Sequence, residues 1–415
     1  MKKTWLFFSI IFLLPFFLDC NNSDEKIKNN PFHIDYDNCK LSIDLTLSDL
    51  IEDCKLIPLE TTPESILGRF IRIINISGDY IIIADGNNVY KFSKDGKFIN
   101  IILKKGRGPG EISGSCRYFY EKNKNLLFIE DDFVENDYLR CYDINSETFL
   151  PSIKKCFQGR WIDFIVYQDS LIMGSVEGLQ RGETNPYALF IQNFEGRFIQ
   201  GIKSNRTFSI PRNDGNDNVL QRFIISEGDK SLHVKYQYDD TLFTLKDNNL
   251  SFYLIPEYRN KNRQPNIMGT EGDRNTSYDS YENPTFMILE YSVFKGYIPR
   301  AHYTMDYFIL NKSNSKYSLI QSYYDDFTGK KFHLGRAVPF TPGVDKEFPA
   351  PNSSPDGLLY VIYYPFELPE IALEGKDNSF KPLLIPFKKI KSNLKETDNP
   401  ILLIGHPKKN LRVLN

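Results

Sequence analysis

From about Leu41 onward the chain is a procession of short apolar runs broken by turn residues, a pattern that predicts strands over helices. One unit shows the scheme: Phe70–Ile76, Asp79–Ala84, Val89–Phe92 and Phe98–Leu103 are four strand-like runs, with Asp95-Gly96 as a tight turn before the last. That turn recurs at Gly96, Ser146, Gly196 and Asn248, at spacings of 50, 50 and 52 residues, and again at Asn314 after 66 more. The excess matches a polar insertion, roughly Glu257–Asn283, with almost no strand character of its own. Four strands per unit at a period near ~50 residues is the signature of propeller blades, and helical solenoids have shorter periods and other hydrophobic spacing. Each blade must bury both faces on its neighbours, so the repeats predict one ring in place of several separate domains. The expectation is an all-β, six-bladed propeller over residues 41–415.

The sixth unit, after about Gly335, is interrupted. Leu358–Tyr364 and Ile401–Gly405 read as strands, whereas Leu383, Phe387, Ile390 and Leu394 between them recur at helical spacing, with Lys388, Lys389 and Lys391 on other faces. Pro386 fits only the first turn of such a helix. One or two short helices are therefore expected inside the last blade. The run Cys54–Leu59 precedes the first blade and is expected to pair with the last, closing the ring.

Composition agrees with strands: 32 Phe, 25 Tyr and 2 Trp make the 415-residue chain 14% aromatic. Charge narrows the partners. Lys plus Arg (51) against Asp plus Glu (53) gives a net −2, with no basic excess for nucleic acid and no acidic tail.

The N-terminus carries a different signal. Lys2 and Lys3 precede an apolar run, Trp5–Leu18, too short for a comfortable membrane span and suited to a signal peptide. Cys20 at its edge, followed by Asn21-Asn22-Ser23-Asp24-Glu25, resembles a bacterial lipoprotein signal, although Asp19 stands where such signals have a small residue. The resemblance implies a cleaved segment 1–19, an acylated Cys20, and a flexible tether over 20–40. It places the protein in the cell envelope, lipid-anchored at the outer membrane, and Ser23-Asp24-Glu25 resembles the acidic tag of surface-exposed lipoproteins. Five cysteines remain, Cys39, Cys54, Cys116, Cys141 and Cys156; an odd number cannot all pair, and no zinc-like spacing occurs. A Cys39–Cys54 disulfide stays open, and most of the five are expected to be buried as small hydrophobes.

Several segments carry a wider resemblance. They are Leu47-Ser48-Asp49-Leu50-Ile51-Glu52-Asp53 with Ile57-Pro58-Leu59-Glu60-Thr61; Lys105-Gly106-Arg107-Gly108-Pro109-Gly110-Glu111; Tyr238-Asp239-Asp240-Thr241-Leu242-Phe243; and Asp398-Asn399-Pro400. In this order, over roughly 41–409, they resemble the six-bladed β-propeller lipoproteins of gut Gram-negative anaerobes, similar in shape to NHL-repeat propellers. The resemblance implies six blades and export, and no activity.

Candidate chemistry is sparse. The loop Gly106–Glu111 invites a phosphate-cradle reading, but Pro109 lacks one donor and no GK[ST] follows; a tight inter-blade turn with Arg107 or Glu111 in an ion pair is expected. The pairs Asp131-Asp132, Asp239-Asp240 and Asp325-Asp326 are read as solvated turns, and a Ca²⁺ site on loop oxygens lacks any EF-hand spacing. His233, His302 and His333 would build a channel metal site only if all three lay on innermost strands. No G-x-S-x-G or HExxH occurs. No cofactor or metal ligand set is assigned, and no catalytic residue. Aromatic groups such as Tyr118-Phe119-Tyr120, Tyr323-Tyr324 and Tyr360 with Tyr363-Tyr364 are read as packing. The exceptions are Tyr278 and Tyr281, which share the insertion with Arg259, Arg263 and Arg274. Long loops on a rigid ring carry recognition, and Arg and Tyr are common interface anchors. Two functional classes follow: a non-catalytic binding or scaffold propeller engaging a glycan, peptide or outer-membrane protein, and a metal-dependent propeller lyase or hydrolase.

Overall fold

The Asp95-Gly96 turn shows how one blade is fixed to the next. Gly96 has φ +84°, and a Cβ there would stand 2.2 Å from the carbonyl oxygen of Pro58, in the outer strand of the neighbouring blade. Gly196 repeats the device one hundred residues on: its φ is +78°, and a Cβ would stand 2.3 Å from the Lys154 carbonyl oxygen. Only glycine allows both the left-handed backbone and so close an approach. Within a blade the third turn also hangs on the first: Lys94 N–H donates to the Asp79 carbonyl, Ile144 to Asn125, and Lys312 to Thr285, at 2.9–3.0 Å.

These units build a six-bladed β-propeller. The computed structural model describes residues 31–411 apart from connecting segments, the longest being 177–186, 258–273, 340–350 and 369–377. Blade 1 is Arg72–Asn75, Tyr80–Ala84, Val89–Ser93 and Phe98–Leu103, paired antiparallel in that order, within a residue or two of the expected runs. Blade 2 spans Cys116–Glu121 to Thr148–Lys154, blade 3 Trp161–Tyr167 to Phe198–Lys203, and blade 4 Phe223–Glu227 to Asn249–Glu257. Blade 5 centres on Phe286–Lys295, His302–Asn311 and Tyr317–Asp325. Blade 6 is Asn352–Ser353, Leu359–Tyr363 and Ile401–Pro407, completed by a strand from the N-terminus. The first strands of blades 1 to 4 touch in sequence around the inside of the ring.

The N-terminal segment is a strap along three outer edges. Strand β1 (Phe32–Asp35) lies parallel to the last strand of blade 4, and β2 (Ser42–Thr46) parallel to Tyr317–Asp325 of blade 5. Strand β3 (Ile51–Pro58) lies antiparallel to Ile401–Pro407. The closure expected at Cys54–Leu59 is thus present. The tether expected over 20–40 is corrected from Phe32 onward, where Ile34 and Tyr36 are buried against Leu242, Leu254 and Phe308 at the blade 4–5 seam; residues 20–30 lie outside the described residues. Helix α1 (Leu47–Leu50) joins β2 to β3 through a capping box between Thr46 and Asp49. Helix α2 (Leu384–Asn393), preceded by a 3₁₀ turn at Asn378–Leu383, interrupts blade 6 as expected, burying Leu383 and Phe387 against Phe327 and Phe380.

The ring closes between blades 6 and 1 on Asn399, a buried side chain. Its Oδ1 accepts from Leu67 N–H at 2.9 Å, its Nδ2 donates to the Glu60 and Ser65 carbonyls at 2.8 Å, and its N–H donates to Thr61 Oγ1 at 2.8 Å. Glu60 N–H in turn donates to Gly96, and its carboxylate accepts from Phe98 N–H. Replacing Asn399 by Ala strands the Leu67 N–H and the Ser65 carbonyl in the seam, and leaves the Glu60 carbonyl only the Ser65 hydroxyl. Urea unfolding is expected to show a loss of about 3 kcal/mol; a loss within the range of surface substitutions would deny Asn399 this role.

Candidate functional site

The insertion begins as blade 4 ends at Glu257 and returns as the inner edge of blade 5. Arg274–Asn275 and Tyr281–Glu282 both pair antiparallel with Phe286–Lys295, with Arg274 opposite Val293 and Tyr281 opposite Ile288. The expectation of a strandless excursion over Glu257–Asn283 is corrected to this extent: its last third supplies strand to the sheet. Arg259, Arg263 and Tyr278 lie outside the described residues.

Where the insertion rejoins the ring, four polar side chains meet at the seam between blades 4 and 5. His233, on the second strand of blade 4, is 1% exposed, stacks on the Tyr253 ring at 3.8 Å, and places Nδ1 2.5 Å from a Glu282 carboxylate oxygen. The other oxygen of Glu282 accepts from Tyr253 Oη at 2.8 Å and Lys312 Nζ at 3.0 Å. Lys312 also donates to the Asn283 carbonyl at 3.0 Å. Burial works to raise the Glu282 carboxyl, but the hydrogen bond and charge of His233, with Lys312 and Tyr253, outweigh it and hold Glu282 below its ordinary value. The sequence suggests His233 only as a metal ligand. The available signal for this network is the separation of 49 residues between His233 and Glu282, one blade period.

The metal reading finds no support in placement. His233 lies on the second strand of its blade, His302 begins the third strand of blade 5, and His333 ends a short strand that pairs with the fourth on the side opposite β2, so none is innermost. Among the described residues no three His, Cys, Asp or Glu side chains converge as a metal site.

The Gly106–Glu111 loop is filled by its own carboxylate. Glu111 folds back to accept from Gly108 N–H at 2.6 Å, and its carboxyl occupies the space a Cβ on Gly106 would need. Arg107 is exposed, and the cation that holds the loop is Arg140, which donates to the Glu111 carbonyl at 2.6 Å and lies over Phe149. The expected inter-blade turn is present, with Glu111 as its internal cap in place of an ion pair.

The Asp325-Asp326 pair is corrected from solvated turn to buried seam. Asp325 accepts from Thr328 Oγ1 at 2.6 Å and from Tyr363 Oη of blade 6 at 3.0 Å; Asp326 accepts from Ser48 N–H at 3.0 Å and from the Ser48 hydroxyl. Burial pushes both carboxyls up. Asp131 is likewise buried and accepts from Ser113 N–H, while Asp132 and Asp239-Asp240 lie outside the described residues. The five cysteines are free thiols, so Cys39 and Cys54 are unbridged. Burial pushes Cys54, Cys141 and Cys156 up to about 12 and Cys116 to about 11, far from the range of a reactive thiolate.

The folded chain belongs to the family described as Domain of unknown function (DUF4934), whose model matches residues 31–406. Among solved structures it is similar to an exported-protein candidate of Bacteroides fragilis NCTC 9343, at 15% identity and TM-score 0.57, covering 91% of this chain and 99% of that one. It also matches a duf4221 family member from Bacteroides vulgatus (10% identity, TM-score 0.44, 86% and 97% covered). A third match is the Nup133 β-propeller domain of Vanderwaltozyma polyspora (12%, 0.40, 77% and 79%). No curated protein matches.

The Glu282 network makes a pH-dependent prediction. Because the folded carboxyl lies below its ordinary value, its contribution is full above the unfolded value near ~4.3 and is lost as pH falls through the folded one. Glu282→Gln is expected to cost roughly 2 kcal/mol at pH 7. The gap between wild type and variant, read by thermal unfolding across pH 7 to 3, should narrow at the acid end. A gap that stays constant would show that the carboxylate charge contributes nothing.

Proposed function

We propose that this DUF4934 member is an exported, lipid-anchored propeller of the cell envelope that binds a ligand or partner without transforming it. One observation carries the binding reading. Two of the family-like segments are spent on joining blades: Leu59-Glu60-Thr61 interlocks with Asn399 where the ring closes, and Gly106–Glu111 caps itself between blades 1 and 2. Recognition then falls to what varies around the ring, and the insertion is, with the helical segment of blade 6, one of its two long excursions. Arg259, Arg263, Arg274, Tyr278 and Tyr281 are the proposed ligand-binding set, with a glycan, a peptide or an outer-membrane protein as the class of partner.

The anchor reading rests on the leader and on Cys20, supported by the similarity to a Bacteroides protein described as an exported candidate. Among the described residues no helix is long and apolar enough to cross a membrane, so attachment would come from acyl chains at Cys20. Metabolic labelling with a fatty-acid analogue should mark the protein, and Cys20→Ala should abolish the mark. Label persisting in the variant would reject the assignment.

Binding is tested by substitution, because deleting the whole insertion would also remove Glu282 and the inner edge of blade 5. The triple variant Arg259→Ala, Arg263→Ala, Tyr278→Ala should melt within a degree or two of the parent, yet lose on the order of 100-fold in affinity for a ligand found on a glycan array or by pull-down. Undiminished binding would move recognition to the channel mouth.

A further inference from the structure

Helix α2 interrupts blade 6 and shows two unlike faces. Leu383 and Phe387 are buried, with Ile390 and Leu394 packed on the same cluster. On the other side Lys381, Ile385, Lys388, Lys389 and Ser392 follow one another at helical spacing, and all are exposed. Ile385 is 81% exposed, more than any other large hydrophobic side chain among the described residues. Lys381, Lys388 and Lys389 have no acidic partner among the described residues. Between Asn378 and Lys409 the sequence holds seven lysines and two acidic residues, Glu396 and Asp398, in a chain whose net charge is −2.

An unpaired cationic face around a protruding isoleucine does not suit water alone. The isoleucine exposes its apolar area, and Lys381, Lys388 and Lys389 stand close to one another with no acidic partner among the described residues. Both are relieved at one kind of surface: a bilayer with anionic headgroups, where Ile385 enters the acyl boundary and the lysine stems lie alongside with their ammonium groups among the phosphates. Acidic proteins would satisfy the lysines but give no reason for the isolated isoleucine and the flanking Pro382 and Pro386, which are exposed with it.

We propose that the α2 face of blade 6 is a membrane-docking surface that lays the propeller against an anionic lipid bilayer. This deepens the envelope reading and rests on it for access to a membrane, although the surface acts through its own side chains and not through Cys20. With the acyl chains as one signal and this face as the second, attachment fixes which side of the ring meets the lipid.

The test is co-sedimentation of the mature protein with vesicles of phosphatidylcholine alone and of phosphatidylcholine containing about one-third phosphatidylglycerol, together with the rate of lysine acetylation on each. Preference for the anionic vesicles should be about tenfold or more and should vanish in high salt. Lys388 and Lys389 should be protected there while Lys94 and Lys97, on the blade 1 turn, are not. The variant K381Q/K388Q/K389Q and, separately, Ile385→Asp should each lose the preference; all four positions are exposed, and an unchanged melting temperature confirms the fold. Equal partition into both vesicles of unacylated protein beginning at Asn21, or a preference kept there by the triple-lysine variant, overturns the proposal. Binding to neutral vesicles that depends on Cys20 reports the anchor alone. Its absence would count against the lipoprotein reading while leaving the anionic preference as the measure of this face.

Discussion

Ring closure is the constraint on which everything else in this molecule depends. A blade of four strands has two large apolar faces and cannot bury either by itself. The fifth and sixth blades are also built from interrupted sequence, so neither offers the next a regular template. The N-terminal strap answers this by running along the outer edges of blades 4, 5 and 6 in turn, two strands parallel and the third antiparallel. It gives each of those blades an outermost strand from a single covalent run, so that separating any two of them means peeling the strap. Asp35 N–H donating to the Tyr317 hydroxyl, and Asp326 holding Ser48, tie the strap across blade boundaries as well as along them.

The same constraint explains what the sequence made legible. Gly96 and Gly196 were readable because a left-handed turn pressed on a neighbouring carbonyl leaves one residue type, and the fifty-residue period follows from repeating that turn. The helix at Leu384–Asn393 was readable because its buried side chains keep a period of their own. Phe32–Asp35 was not: Phe32, His33, Ile34 and Asp35 do alternate, but four residues are too few to stand out from a polar leader, and the partner, Leu254–Glu257, lies more than two hundred residues away. Tyr281–Glu282 failed for the same reason, two residues being too few to show a pattern. The buried state of Asp325 and Asp326 depends on Tyr363 and Ser48 arriving from other blades, which no local window contains.

The candidate site was legible only in outline. The insertion and its Arg and Tyr content could be found by length and composition, since these are local properties. Its footing could not, because Glu282 is bonded to His233 in one blade and Lys312 in another turn. A search for ionisable pairs about one blade period apart would have found it; Lys91 with Glu147, joining blades 1 and 2, is a looser case at a separation of 56.

The apolar faces of the blades are chemically much alike, rich in Ile, Leu, Phe and Tyr, and by themselves would accept several neighbours at several heights. The polar contacts are not alike. Lys91 with Glu147 and the Ile144 carbonyl marks the first seam, and Gln192 bonded to Cys156 N–H and the Lys154 carbonyl marks the second. His233 with Glu282 marks the fourth, Asp325 with Tyr363 the fifth, and Asn399 with Glu60, Thr61 and Ser65 the sixth. Each is buried or half-buried, and each is costly when its partner is missing or one residue out of register. Apolar burial therefore supplies most of the force that holds the ring together, while these unlike locks penalise any blade in another blade's place. A stack of near-equivalent repeats thereby acquires one order and one register, the rigid frame from which loops of different length can be held at fixed positions.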